Sequence, residues 1–311
     1  MMPEQSAAPS SVSAPVPTRQ PPVARMLPDG CRLHLNHGPI DLIIEAFGQS
    51  RQDAYQLAAR RFDSVLDELV TELKSLRQPC RSGRQFSGTI ATRMQTAVEP
   101  FLPQFITPMA AVAGAVADEI LQTIKTLPGL ERIYVNNGGD TAFYLADGQQ
   151  IKAAIATPFP ANIVIRSSDN FRGIATSGWQ GRSQSLGIAD SVSVVGENCA
   201  SADAAATMIA NCVDLPGHPC IARQPASQLF PDSDLGDRLV TTGVGSLTHN
   251  EVATALSHGE TAARSYLAKG IIGGAMLVVN NQTRQIGGTN LIQSAHPIRH
   301  TEFTDGEFAD G

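Results

Sequence analysis

Aromatic side chains are scarce, at 5% of the 311 residues, and there is a single tryptophan, Trp179. With Ala and Gly abundant instead, interior packing must come from close backbone approach rather than from stacked rings. Cysteine is sparse and poorly arranged for cross-linking. Cys31, Cys80, Cys199, Cys212 and Cys220 are odd in number, widely spread and never spaced C-x-x-C, which argues against a disulfide framework or a zinc knuckle. Cys212, His218 and Cys220 sit close enough to be read as metal ligands, but thiols beside a proline turn (Pro216-Gly217, Pro219) is the plainer reading. Positive charge is thin too. The 23 Lys+Arg against 29 Asp+Glu leave a net charge of −6, and the pair Arg60-Arg61 reads as a solvated helix face. A phosphate-backbone partner is therefore not expected. The longest apolar run, Pro108 to Ala117, is alanine-rich and too short to span a bilayer, and no apolar leader precedes it. These absences point to a cytoplasmic chain with a small-molecule ligand and no nucleic-acid or membrane partner. They leave self-association into a homo-oligomer open.

Apolar residues at 42% and charged ones at 17% suffice for one large domain or two small ones. Met1 to Pro28 carries Pro3, Pro9, Pro15, Pro17, Pro21, Pro22 and Pro28 among Ser and Ala, and reads as a disordered tail. Structure is expected from about Cys31, with a hairpin of Arg32–Asn36 and Ile40–Ala46 across His37-Gly38-Pro39. Leu57, Phe62, Val65, Leu66, Leu69, Leu73 and Leu76 recur at helical spacing, so Gln52–Leu76 reads as an amphipathic helix ended by Pro79. Thr107-Pro108 signals a second helix, Met109–Lys125, with Thr107 as cap. Short strands follow at 132–135, 141–144, 151–155, 163–166, 174–177 and 191–195, then a helix over Ser201–Cys212. Further on come a strand over 239–244, a helix over 250–267 and a strand over 275–280. The pattern is that of an α+β protein in layers. Residues 29–215 form its core, 216–300 an extension of the same domain, and 301–311 an acidic tail.

Three segments carry candidate chemistry. In Asn136-Asn137-Gly138-Gly139-Asp140 the glycines let the main chain turn tightly and offer amides to an anion, though Asn-Gly is equally a hairpin signal. From Gly173 to Asp190 one segment gathers Thr176, Ser177, Trp179, Arg182, Ser183 and Ser185. Arg182 can grip a phosphate or carboxylate with two N–H groups, and Trp179 can stack on a flat ring, unless the segment is a plain solvent loop. On the helix near Ser201, Asp203, Thr207 and Asn211 fall at successive turns of one face. A carboxylate and a hydroxyl one turn apart suit Mg²⁺, whereas a capping role would explain Asp203 alone.

Four motifs occur in order: Pro108-Met-Ala-Ala-Val-Ala-Gly-Ala115, Asn137-Gly-Gly-Asp140, Thr176-Ser-Gly leading to Gly181-x-Ser-x-Ser-x-Gly-x-Ala-Asp190, and Ala202-Asp-Ala-Ala-Ala-Thr207. Together they resemble uncharacterised protein family 0280, related to the ApbE-like FAD:protein FMN transferases. The resemblance implies an ApbE-like, T-fold-like arrangement of mixed sheets with packed helices. It implies FAD or FMN as ligand and Mg²⁺ as cofactor. Asp203 and Thr207 would hold the metal, and Asn137, Gly138, Gly139, Asp140, Thr176, Ser177, Arg182, Ser183 and Ser185 would line the cofactor site. The chain departs from the transferases twice. Ala113-Gly114-Ala115 replaces their lysine-bearing helix start, and Arg182 stands where many relatives carry histidine, with no Asp-Pro-x-Thr-Gly segment. Three functions stay open: Mg-dependent transfer or hydrolysis on a flavin nucleotide or another planar anion, catabolism of a heteroaromatic carboxylate as a reductase or hydrolase partner, and non-catalytic binding.

Overall fold

A computed structural model describes residues 20–155, 157–158, 161–287 and the backbone of 292–294. The strands are β1 (Val23–Met26), β2 (Leu33–His37), β3 (Ile40–Gly48), β4 (Leu130–Asn137), β5 (Asp140–Leu145), β6 (Gln150–Ala154), β7 (Ala161–Arg166), β8 (Gly173–Ser177), β9 (Ser191–Gly196), β10 (Ile221–Pro225), β11 (Leu239–Val244), β12 (Gly274–Val279), β13 (Gln282–Gly287) and β14 (Ile292–Ser294). The helices are α1 (Arg51–Leu76), α2 (Thr89–Val98), α3 (Val112–Ile124), α4 (Cys199–Cys212), α5 (Ala226–Leu229) and α6 (His249–Ala268). The architecture is mixed α+β.

Nine strands form one antiparallel sheet in the order β1-β2-β3-β4-β5-β8-β9-β12-β13. Strand alternation aims Leu33 and Leu35 of β2 and Leu42, Ile44 and Ala46 of β3 at the helices. There they meet the buried stripe of α1, which includes Ala58, Phe62, Val65 and Leu69. Helices α1, α3, α4 and α6 all lie against this one face of the sheet. A small sheet, β14-β7-β6, covers part of the other face, and Phe143, Leu145, Ile163, Ile165, Val195 and Met276 form a second core beneath it. Covered on both sides, β9 and β12 are buried along their whole length, which explains why they are apolar without alternation.

The sequence reading needs four corrections. Structure begins before Cys31, because β1 pairs with β2 through main-chain bonds from Val23↔Asn36 to Met26↔Leu33. Its side chains are all exposed, so a reading based on what can be buried misses it. Residues 1–19 and 301–311 lie outside the described residues. Helix α2, which buries Ile90, Ala91, Met94 and Val98, was not anticipated. Thr107 caps nothing; its hydroxyl donates to Asp234, and a 3-10 turn, Pro108–Ala111, leads into α3. Arg61 does not face solvent but bonds Glu119 of α3 (3.0 Å) and Glu68 (2.7 Å), tying two helices together.

Candidate functional site

The site is built where α3 and α4 cross. A Cβ on Gly114 would lie 2.4 Å from the Cys199 carbonyl oxygen, so only glycine permits this approach. Each helix lends the other an aspartate. Asp118 of α3 accepts the amides of Cys199 (3.1 Å) and Ala200 (2.9 Å) in the first turn of α4. Asp203 of α4 accepts the Gly114 amide (3.0 Å), and Ala113 supplies a second, in the first turn of α3. Free amides and the positive end of the helix dipole favour a carboxylate at both places. The helix cap of α4 itself is Asn198, bonding the Ser201 amide (2.9 Å), so Asp203 does not cap its own helix.

A third carboxylate, Asp140, ends the β4–β5 turn. Asn137 and Asp140 pair across it, with Gly138 and Gly139 at φ of 65° and 121°, so this segment is a hairpin turn. Asn137 donates to the Ala113 carbonyl (3.1 Å), which locks the turn to α3. Asp140 is buried and accepts the Thr176 amide (3.0 Å). Burial pushes its carboxyl up to about 7, against the pull of that amide and of the Arg182 charge. Burial, and then the Asp140 charge, raise Asp203 well above the ordinary carboxylate range, with the Gly114 and Ala113 amides opposing. Burial likewise pushes Asp118 up to about 6.

Arg182 reaches this turn from the loop that follows β8. A Cβ on Gly138 would lie 1.7 Å from its guanidinium, so the arginine rests on the bare face of the glycine. Arg182, Ser183 and Thr207 line a cavity of about 440 Å³ together with Asn211, Phe105 and Asp234. The remaining sequence-predicted residues are placed differently. Ser185 is buried, donates to the Asn211 side chain (3.3 Å) and accepts the Gly187 amide (3.2 Å), which holds the loop's own shape. Asn211 also accepts the Leu186 amide (2.9 Å), so the third member of the α4 stripe anchors the loop as well. The Thr176 hydroxyl bonds that of Ser193 (2.8 Å), Ser177 sits half-buried at the end of β8, and Gly139 meets open space. Trp179 does not join Arg182. Its indole donates to Asp190 (3.3 Å) and lines a separate cavity of about 760 Å³ with Asn280 and Asn281. That cavity is the larger, but Arg182 and Thr207 lie at the smaller one.

The loop between α5 and β11 closes one wall of the smaller cavity, a part that sequence reasoning missed. Ser233 donates to Gln184 (2.7 Å), and Arg238 stacks on Phe105, 3.2 Å from the ring centroid. Only the turn signal Pro231-Asp-Ser-Asp234 marks it in the sequence. His218 bonds Glu251 (3.0 Å) and the Cys220 amide (3.2 Å), and no group of three or more His, Cys, Asp or Glu is arranged to hold a metal among the described residues. No described helix is long and apolar enough to cross a membrane.

The profile of the family described as AbpE bacteria matches residues 24–285. A UPF0280 protein of Methanopyrus kandleri is 30% identical over 176 residues, covering 55% of this chain and 69% of that relative. Among solved structures, the flavin transferase ApbE from Vibrio cholerae is 14% identical, with a TM-score of 0.46 over 85% of this chain and 97% of the other. The apo flavinyl transferase ApbE of Pseudomonas stutzeri is 11% identical, with a TM-score of 0.45 over 86% and 96%.

Proposed function

The chain belongs to the AbpE bacteria family and is a UPF0280 protein related to the ApbE-like flavin transferases, and from that premise we propose that it binds a flavin nucleotide at the Arg182–Thr207 cavity with a divalent cation beside it. The observation that supports the reading is that a guanidinium and a buried carboxylate meet at one glycine turn. Arg182 is held over Gly138, lining the cavity, while its charge is felt at Asp140 behind the turn.

The residues fit a hard cation. Asp140 and Asp203 are carboxylates in a water-poor place, and the charge of one disfavours ionisation of the other, so together they hold a proton or a metal. Asp203, Asp140 and the Thr207 hydroxyl offer oxygen donors only, the chemistry Mg²⁺ takes. When bound, such an ion would polarise a nucleotide phosphate. Arg182 would grip the same phosphate through paired N–H bonds and, always charged, cannot shuttle protons. Ser183 would add a hydroxyl at the mouth, and Phe105 a flat surface within the cavity.

The test is thermal unfolding with FMN and with FAD, each with and without Mg²⁺, on wild type and Asp203→Asn. A ligand at a hundred times its Kd should stabilise wild type by about 2.7 kcal/mol. The Mg²⁺-dependent part should vanish in Asp203→Asn, because a neutral amide is a poor ligand for a hard cation. No shift with either flavin would remove the reading. An unchanged Mg²⁺ response in the variant would leave Asp203 as a helix cap alone.

A further inference from the structure

The small sheet covers only part of the outer face of the nine-stranded sheet. Among the described residues no element covers that face over β3 and β4, and beside β6 it forms a cavity of about 580 Å³, on the side away from the helices and the Arg182 cavity. The floor is apolar, with Ile43, Phe47 and Tyr134 from the large sheet and Ile151 from β6, all half-buried. The rim is cationic. Arg32 is matched by Asp29 (2.5 Å), and the Tyr134 hydroxyl donates to Glu45 (2.9 Å), a single carboxylate beside the floor that forms no ion pair among the described residues. Arg132 and Lys152 differ from Arg32, since neither forms an ion pair among the described residues. Arg132 lies over the Phe47 ring, 4.2 Å from its centroid, and Lys152 is exposed. In a chain whose net charge is −6, two unmatched cations at the mouth of an apolar groove call for an anion with an apolar body. A guanidinium stacked on a ring keeps its N–H edges free for the two oxygens of a carboxylate.

We propose that this groove is a second ligand site, which binds amphipathic carboxylates. The apolar body lies on Ile43, Phe47, Tyr134 and Ile151, and the carboxylate sits at Arg132 and Lys152. The site is independent of flavin binding at the helical face.

Titration calorimetry with decanoate, 2-naphthoate and their neutral amides tests it. At least one acid should bind wild type with a sub-millimolar Kd, and its amide at least about tenfold more weakly. A preference for decanoate marks a chain-shaped ligand, and a preference for naphthoate a ring. Arg132→Gln with Lys152→Gln should weaken the acid by about tenfold or more, and Lys152→Gln alone, at an exposed position that cannot disturb the fold, by a measurable part of that. Arg182→Ala should bind the acid like wild type. The proposal is overturned if neither acid binds, if the amide binds as well as the acid, if the Lys152→Gln or double variant matches wild type, or if Arg182→Ala alone abolishes binding.

Discussion

Asp118→Asn separates the electrostatic cost of the helix crossing from its hydrogen bonds. The Asp118 side chain is 2% exposed, and both its oxygens accept amides of α4. Burial raises its carboxyl from 3.8 to about 6, so the folded chain holds the proton more tightly than the unfolded chain does. The contribution of this group to stability is therefore fully present below pH ~4 and lost as the pH rises through ~6. A shift of about two units corresponds to roughly 3 kcal/mol, of which about 2 falls between pH ~4.5 and ~7. Asparagine does not titrate, but its NH2 group stands where an oxygen accepted an α4 amide and cannot accept in its place, so that amide loses its partner at a cost of about 1–3 kcal/mol. The expected result is a stability difference that changes with pH. Asp118→Asn should be the less stable protein near pH 4.5, and should gain about 2 kcal/mol on wild type by pH 7. Urea unfolding at four pH values measures the difference, in which other titrating groups cancel. Parallel stability curves would show that Asp118 ionises normally despite its burial, and the account of the crossing would fail.

Two further outcomes follow from the same geometry. Gly114→Ala gains about 1 kcal/mol of intrinsic helix propensity, yet its Cβ would stand 2.4 Å from Cys199 O and 2.7 Å from Ala200 N, backbone atoms that cannot rotate aside. The clash should win, with a net loss of about 1–3 kcal/mol, and an unchanged or raised Tm would refute the close crossing. Arg182→Lys keeps the charge but loses the fork, so FMN affinity should fall by roughly 1.5–3 kcal/mol. Equal Kd values for wild type, Arg182→Lys and Arg182→Ala in calorimetry would place the guanidinium in solvent.

The α1 stripe, the β2–β3 hairpin, the Gly138-Gly139 turn and the small-residue faces of α3 and α4 were legible in the chain alone. Each is a local matter, since helical spacing, strand alternation and the positive φ of glycine are properties of a few neighbouring residues. Family membership was legible for a related reason, because four motifs keep their order whatever their distance in space. What the chain could not disclose is which of these residues meet. Asp203 could be read as the cap of its own helix, but Asn198 holds that place, and Asp203 accepts an amide in the first turn of α3, 89 positions away in sequence. Ser185 and Arg182 look alike as loop residues, yet one is turned inward to Asn211 of α4 and the other is laid over a turn from another hairpin. Trp179, three residues from Arg182, faces a different cavity. Burial, and with it the raised carboxyls of Asp118, Asp140 and Asp203, arises only when two helices and a turn close on one another. Desolvation and long-range pairing depend on the whole packed arrangement, so tertiary structure alone decided them.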